Sequence, residues 1–573
     1  MKRRMLLILS AFALLLASCG NKDVKSDGLV IPEDASMVIH VNSSSLSSKI
    51  TWDEIKQSAW FMDMSKKSED STAKQFFSNP GSSGINTKAD IILYTKKQGA
   101  GSYMIVAGSV ADANAFEKFC KTLDKEGSKA LKKEKGFNYM TSENSAVVWN
   151  DKYFALASNS SLPTGGTMMN RFKRGRSGES MEWKHEYLPD SLKIFGMEAL
   201  SGKSKSLESD KRFSSLIKDG NDIHFWVNSG KAYSGMGNMI PLDIKPLLEG
   251  NVSAISLNFG NGKISAKLKQ YFGEKMSKLM SKSKTEPLTA AVINRIPSSN
   301  VAAVIAFNYS PDVVKEFLKV LGADAMADMI LAKMDFSLDD FIRANKGQVL
   351  ISISDPGMTG APMAKKSKGG DEEDTPRKKN NMKVLFATAV NDKATFEKMV
   401  TLIWDAAKKL KKGGDGDKGS KAPPFSYRVE NNWFAASNSA ELTDKFLAGG
   451  DNKLPFTDKI TGHPFAIYVD LQKITGAMHR NFNPGDTSKA AINIWQDIIA
   501  TGGEYKDDGL QFEAEVNMID KSTNSLKQIN KYFDNLHSFK KEGINIKEIT
   551  LEDVVKEKDE MEPPPPPKKK ADK

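Results

Sequence analysis

The sequence predicts an α+β protein of two tandem homologous units, each a largely antiparallel sheet packed with helices. Three observations predict it: an internal duplication, period-two apolar segments joined by hairpin turns, and strands that end on Asn or Asp before a polar stretch. The segment VADANAFEKF from Val110 recurs as VNDKATFEKM from Val390, a displacement of 280 residues. In the first copy Phe116, Phe119, Cys120 and Leu123 fall at i, i+3, i+4 and i+7, the buried stripe of an amphipathic helix. In the second, Phe396, Met399, Val400 and Ile403 take the same places. Cys120 therefore stands where its counterpart is valine, which points to packing and not to a nucleophile.

FALASNSS from Phe154 matches FAASNSA from Phe434, each after a hairpin turning near Asn150-Asp151 and Asn431-Asn432. Ile31-Pro32 before SMVIHVN resembles Ile296-Pro297 before AAVIAFN. IILY from Ile91 matches VLIS from Val349 at a displacement of 258, so the second copy gains about 22 residues before Val390. They are Ala361 to Met382, charged and without apolar periodicity, and expected as a solvated loop. NGKISAKLKQYF from Asn261 resembles DDGLQFEAEVNM from Asp507, each with the alternation of a half-buried strand. The displacement has fallen again, which places an insertion in the first copy around Pro163 to Ser209. The units then run over 29–286 and 287–549. Strands ending Val41-Asn42, Val227-Asn228, Phe307-Asn308 and Val469-Asp470 each lead into a predicted helix whose first free amides the Asn or Asp accepts. Ser310-Pro311 opens its helix with a cap and a first-turn proline.

Before the first unit, Met1-Lys2-Arg3-Arg4 and an apolar run from Met5 to Leu16 lead to Leu16-Ala17-Ser18-Cys19. This is the pattern of a lipoprotein signal over 1–18, too short to span a bilayer. The mature chain is expected to start at Cys19, lipidated on its thiol, with 19–28 as a tether. The only other cysteine is Cys120, so no intramolecular disulfide is available and apolar cores must supply stability. With 40% hydrophobic and 27% charged residues the chain has the composition of a folded protein. Its net charge of +11 falls to about +8 without Lys2, Arg3 and Arg4, which gives no reason to expect a nucleic-acid partner. The 550–573 tail, charged and ending PPPPPKKKADK from Pro563, is expected to be extended and solvated.

No motif carries chemistry. GKS at Gly202 to Ser204 has five residues after Gly196 where a phosphate loop has four. DGDKG at Asp415 to Gly419 lacks the further acidic ligands of a calcium loop. The six histidines, His40, His185, His224, His463, His479 and His537, never fall at ligand spacing, so structural or exposed roles are expected and no metal or cofactor. The basic run from Arg171 to Arg176 reads as a solvated loop. No catalytic residue is assigned.

The Leu-Ala-Ser-Cys signal, LVIPEDASMVIHVNSSSLSSKITWDEI from Leu29, the repeated FEK helices and MDFSLDDFIRANKGQVLISISD from Met334 together resemble the Bacteroidetes lipoprotein family catalogued as domain of unknown function 4836. The resemblance implies a cell-envelope lipoprotein with Cys19 as its one transferable functional residue. Gly20 stands where an aspartate would signal inner-membrane retention, so the outer membrane is the expected location, on either its periplasmic face or the cell surface. The expected function is that of a non-enzymatic scaffold or binding protein for a protein, peptide or glycan partner. The alternative is a hydrolase of envelope or polysaccharide substrates, with a carboxylate pair between the two units. The sequence does not fix an oligomeric state.

Overall fold

A computed structural model describes residues 29–67, 71–99, 101–122, 131–160, 186–202, 205–233, 244–283, 285–359, 379–380, 382–412, 426–481 and 490–541. The signal, Cys19 and its tether, the 550–573 tail, Arg171 to Arg176, His185 and Asp415 to Gly419 lie outside these residues.

The strands are Met37–Val41 (β1), Ile91–Gln98 (β2), Gly101–Ser109 (β3), Lys132–Glu134 (β4), Phe137–Ser142 (β5), Ser145–Trp149 (β6), Tyr153–Asn159 (β7), Ile223–Asn228 (β8), Val252–Gly260 (β9) and Lys263–Tyr271 (β10). Then come Val301–Asn308 (β11), Asn345–Ser354 (β12), Met358–Thr359 (β13), Lys379–Asn380 (β14), Lys383–Val390 (β15), Ser426–Glu430 (β16), Trp433–Ser437 (β17), Phe465–Asp470 (β18), Trp495–Lys506 (β19) and Gly509–Met518 (β20). The helices of the N-terminal half are Ser43–Lys49 (α1), Trp52–Lys56 (α2), Ala59–Lys67 (α3), Ser71–Ser78 (α4), Ala113–Thr122 (α5), Pro189–Ser201 (α6), Lys211–Ile217 (α7), Ser229–Ala232 (α8), Lys245–Leu248 (α9) and Glu274–Lys282 (α10). Those of the C-terminal half are Ala290–Ile293 (α11), Pro311–Val320 (α12), Asp324–Ala332 (α13), Leu338–Ala344 (α14), Lys393–Lys412 (α15), Ala440–Ala448 (α16), Thr457–Ile460 (α17), Leu471–Asn481 (α18) and Ser525–Lys541 (α19).

Eighteen strands form one sheet in the spatial order β4-β5-β6-β7-β3-β2-β1-β8-β9-β10-β20-β19-β18-β11-β12-β15-β17-β16, and every pairing is antiparallel. Outward from β10 the order is β9-β8-β1-β2-β3-β7-β6, and outward from β20 it is β19-β18-β11-β12-β15-β17-β16. Rank for rank, the two series are the same. They meet where β10 pairs with β20, centred on Lys267 opposite Glu513. The charges match across this joint: Lys267 faces Glu513 at 3.6 Å, Lys263 bonds Glu515, and Lys269 lies 3.7 Å from Asp507. Self-pairing of β10 or of β20 about the same centres would set Lys267 against Lys267 or Glu513 against Glu513. Like charges directly opposite are destabilising, so the pattern selects the mixed pair.

Alternating inward residues build the main cores. Val38, Ile92, Tyr94, Ile105 and Ala107 pack with Leu192 and Phe195 of α6 and Phe213 of α7. Val304, Ala306, Leu350, Leu385 and Ala387 pack with Ile293 of α11, Phe446 of α16 and Ile460 of α17. Each large apolar side chain so buried stabilises by roughly 1.5–3 kcal/mol. On the opposite face Phe116 and Cys120 of α5 join Phe77, Trp149 and Phe154, while Phe396 and Val400 of α15 join Phe434. Cys120 is fully enclosed, and burial pushes its thiol well above the usual range, so it packs and does not react.

The last helix of each series crosses the joint. α10, which follows β10, packs on α12; α19, which follows β20, packs on α3. The second contact is specific: Trp60 Nε1 donates to Asn530 Oδ1 at 2.8 Å, its backbone N donates to Asp534 Oδ1 at 3.1 Å, and Lys527 pairs with Glu54 at 2.7 Å. Phe533 lies 5.8 Å from the Trp60 ring.

The structure corrects three expectations. Ile403 is 59% exposed, because α15 runs on past the edge of the core; the neighbouring Trp404 stacks on Tyr427. The Pro163 to Ser209 segment is not all insertion: α6 lies within it and is a core helix against β6 and β7, in the place that α16 takes against β17. Asn308 does not cap a helix, since its side chain is taken by Glu286 O and Gln348 Nε2; Ser310 stands at the N-cap of α12 with Pro311 in the first turn, as expected, though its side chain makes no cap bond. Of the Ala361 to Met382 segment, 361–378 and 381 lie outside the described residues; at its end β14 pairs with β13 and Met382 O accepts from Asn438. Asn42, Asn228 and Asp470 do accept the expected helix amides, at 3.0, 3.2 and 2.9 Å. Asn431 and Asn432 turn their hairpin with φ of 51° and 60°, the left-handed pair a two-residue turn requires.

Removal of Ala361 to Pro376 alone should lower the melting temperature by no more than about 2 °C, since it touches neither β13 nor β14. Calorimetry showing a drop several times larger would mean that the segment packs on the fold.

Candidate functional site

Two polar assemblies stand out against these apolar cores. In the first, His40 of β1 and His224 of β8 are directly opposite in register. Their Nδ1 atoms approach to 2.9 Å, His40 Nε2 lies 3.1 Å from Asp90 Oδ2, and His224 Nε2 lies 2.7 Å from Asp219 Oδ1. The rings are 6% and 1% exposed, while the two carboxylates are about a third exposed. Burial pushes the Asp219 carboxyl up, but hydrogen bonds from His224 and from the backbone and side chain of Asn221 outweigh it and bring the group down to about 2. Beside this row the fully buried Asp222 takes Lys49 Nζ at 2.5 Å, Ser45 Oγ at 2.7 Å and the Phe259 amide at 2.6 Å, and Lys49 also reaches Asn258 at 2.7 Å.

The corresponding pair in the other half is Ala306 opposite Ala466, both fully buried. The sheet therefore closes at this register with two methyl groups, and the histidines are not a requirement of the architecture. At 2.9 Å the two Nδ1 atoms stand at hydrogen-bond distance, closer than the roughly 3.3 Å between two nitrogens each about 2 Å from a tetrahedral zinc, so the contact is a hydrogen bond. Among the described residues no cluster of three or more His, Cys, Asp or Glu is arranged to hold a metal ion. His463 lies 2.5 Å from Glu504, both partly exposed, and His537 of α19 lies 4.0 Å from Asp63.

The second assembly is a groove of about 680 Å³ at the joint, between α7, α10 and the β19–β20 turn. It exists because the two ends of the joint are closed differently. After β20, residues 519–524 fold over the β9–β10 turn: Gly262 N donates to Thr523 O at 2.9 Å and Asn524 Nδ2 to Phe259 O at 2.8 Å. A Cβ on Gly262, whose φ is 66°, would meet Lys521 Cα at 2.5 Å. After β10 only Phe272 and Gly273 precede α10, and the opposite turn at Asp507-Asp508 stays open as a wall of the groove. Lys211, Arg212, Lys269 and Lys278 line it with Tyr271, Tyr505 and the hydroxyls of Ser215 and Ser277. Arg212 is held in place by Asp210 at 2.7 Å and lies over the Trp226 and Tyr271 rings at 5.6 and 5.4 Å. The carboxylates in the lining are Glu274, Asp507 and Asp508. Lys278 hydrogen-bonds Glu274 and holds its carboxyl below the usual range.

None of these groove residues was singled out from sequence. Gly202, part of the GKS triplet, is the left-handed C-cap of α6 with φ of 69°, and Lys203 and Ser204 lie outside the described residues. Among the described residues no helix is long and apolar enough to cross a membrane.

Residues 28–175 match a family model described as a domain of unknown function, DUF4836. No curated protein matches the chain. Two solved structures are similar to it: crystal form IV of TP0453, with a TM-score of 0.25 and 12% identity over 44% of this chain and 85% of that one, and crystal form I, at 0.21 and 12% over 45% and 89%. Likeness of that degree carries no functional information.

Proposed function

We propose that this chain is a lipid-anchored envelope protein, tethered to the outer membrane through Cys19, whose duplicated halves create a binding groove for an acidic glycan. The observation that carries the reading is the groove itself. Four cations line it against three carboxylates, beside aromatic rings and hydroxyls of the kind that sugars use. Arg212 is fixed by its ion pair and two rings, so little side-chain freedom is lost when it meets a ligand carboxylate or phosphate. The repeated strand order supports descent of both halves from one ancestor, with the groove arising from unequal connections at the joint.

Glycoside hydrolysis needs one carboxyl held protonated near neutral pH. In the groove Lys278 drives Glu274 the other way. This favours binding over turnover. The test is calorimetric titration of mature protein, lacking its lipid, with a polygalacturonate oligomer and with a neutral glucan. The acidic oligomer should bind more tightly, with affinity that falls with salt and drops about tenfold in Arg212→Ala. Equal binding of the two, no effect of Arg212→Ala, or measurable cleavage of either polymer would refute the reading. Mass spectrometry should find diacylglycerol on Cys19 of the cellular protein.

A further inference from the structure

We infer that His40 and His224 share a single proton between their Nδ1 atoms, and that this makes the β1–β8 joint a pH-responsive latch on α7. The inference follows from counting hydrogens. Each Nε2 faces a carboxylate oxygen, an acceptor, and so carries a hydrogen that it donates. The Nδ1 to Nδ1 contact of 2.9 Å is a hydrogen bond only if one of the two nitrogens is protonated. Three protons on two rings give the pair one positive charge between two carboxylates. With one proton fewer, two lone pairs face each other at one of the three contacts. With one more, two N–H groups collide at the middle contact. Either departure breaks a buried hydrogen bond, and the cost is large because both rings are buried.

The strain has a defined outlet. Asp219 closes the C-terminal end of α7, and its bond to His224 ties that end to the sheet. The other end is held through Trp226, two residues along β8, by Phe213 at 5.5 Å and Arg212 at 5.6 Å. α7 also carries Lys211, Arg212 and Ser215 into the groove, so on the binding reading above the shared proton regulates that site. Among the described residues, Asp222 with Lys49 stands two residues before His224, and Tyr94 on β2, its hydroxyl kept protonated by burial, is opposite Val38, two residues before His40. Asp219 itself does not supply the response. Its carboxyl is depressed, so its contribution is complete above its unfolded value of 3.8 and is lost only as pH falls through about 2.

Two measurements on the full mature chain test this. Nitrogen-15 NMR of labelled histidine should show the rings of His40 and His224 changing together and one strongly downfield bridging proton; independent titration of the two rings overturns the inference. Amide exchange of residues 211–217, corrected for its intrinsic pH dependence, should accelerate about tenfold between about pH 7.5 and about pH 5 in the natural protein. In His40→Ala/His224→Ala, which copies the Ala306–Ala466 pair, that change should vanish. If this variant folds poorly, Asp219→Asn serves instead, since it keeps the side-chain shape and weakens the tie. An equal response in natural and variant proteins overturns the latch. Failure of glycan binding would leave both readouts unchanged, so the two proposals fall separately.

Discussion

Asp222→Ala should lose about 3–5 kcal/mol of stability, the cost of removing one partner from a buried ion pair. The carboxylate is fully enclosed and meets Lys49, Ser45 and the Phe259 amide. Its removal strands an ammonium that is itself only 18% exposed, together with a backbone N–H. Denaturant titration of Asp222→Ala and of Lys49→Met should show comparable losses, because each leaves the other charge unpaired. Replacing both by apolar residues should recover most of the loss. Losses below about 1 kcal/mol, the range of a surface pair, would show that water enters this end of the sheet.

Proline at the joint should also be costly, and it discriminates more sharply. Successive N–H groups of a strand point to opposite neighbours, so in β10 one of Ala266 and Lys267 donates toward β9 and the other toward β20. Were β10 an edge strand, one of Ala266→Pro and Lys267→Pro would be tolerated. With β20 alongside, both should destabilise by about 1–3 kcal/mol or more, the cost of a stranded buried hydrogen-bond partner. Measured melting curves in which one of the two variants matches the natural protein would place β10 at an edge.

Much of this fold is legible in local pattern. Phe116 and Phe396 mark the same helix because their stripe recurs with its FEK signature, and both prove buried to the same degree. Asn431-Asn432 marks a two-residue hairpin because few residues accept consecutive left-handed conformations. The α+β class with a large antiparallel sheet follows from such segments. What local pattern does not carry is the pairing of strands far apart in the chain. His40 and His224 are separated by 184 residues, and each alone reads as an ordinary strand histidine. The signal was nonetheless present: matching SMVIHVN with AAVIAFN sets His40 against Ala306, a large polar ring against a methyl group. A polar residue where a duplicated partner carries alanine marks a site that architecture does not require. The groove was hidden for a different reason. It depends on connection lengths after β10 and β20, two residues against six, and on a joint between strands that end their respective halves. The opposite charges of KISAKLKQ and LQFEAEVN were its only trace in sequence.

The joint between β10 and β20 makes one sheet of two halves, creates the groove and sets the exchanged helices in place. Ala266 and Ala514 are directly opposite across it, and opposed residues in an antiparallel pair have Cα atoms about 4.5–5.5 Å apart, within disulfide reach. Oxidation of Ala266→Cys/Ala514→Cys in the full mature chain, followed by peptide mapping, should therefore recover an intramolecular bridge in nearly every molecule. Two free thiols, or a bridge formed only between different chains, would contradict the account.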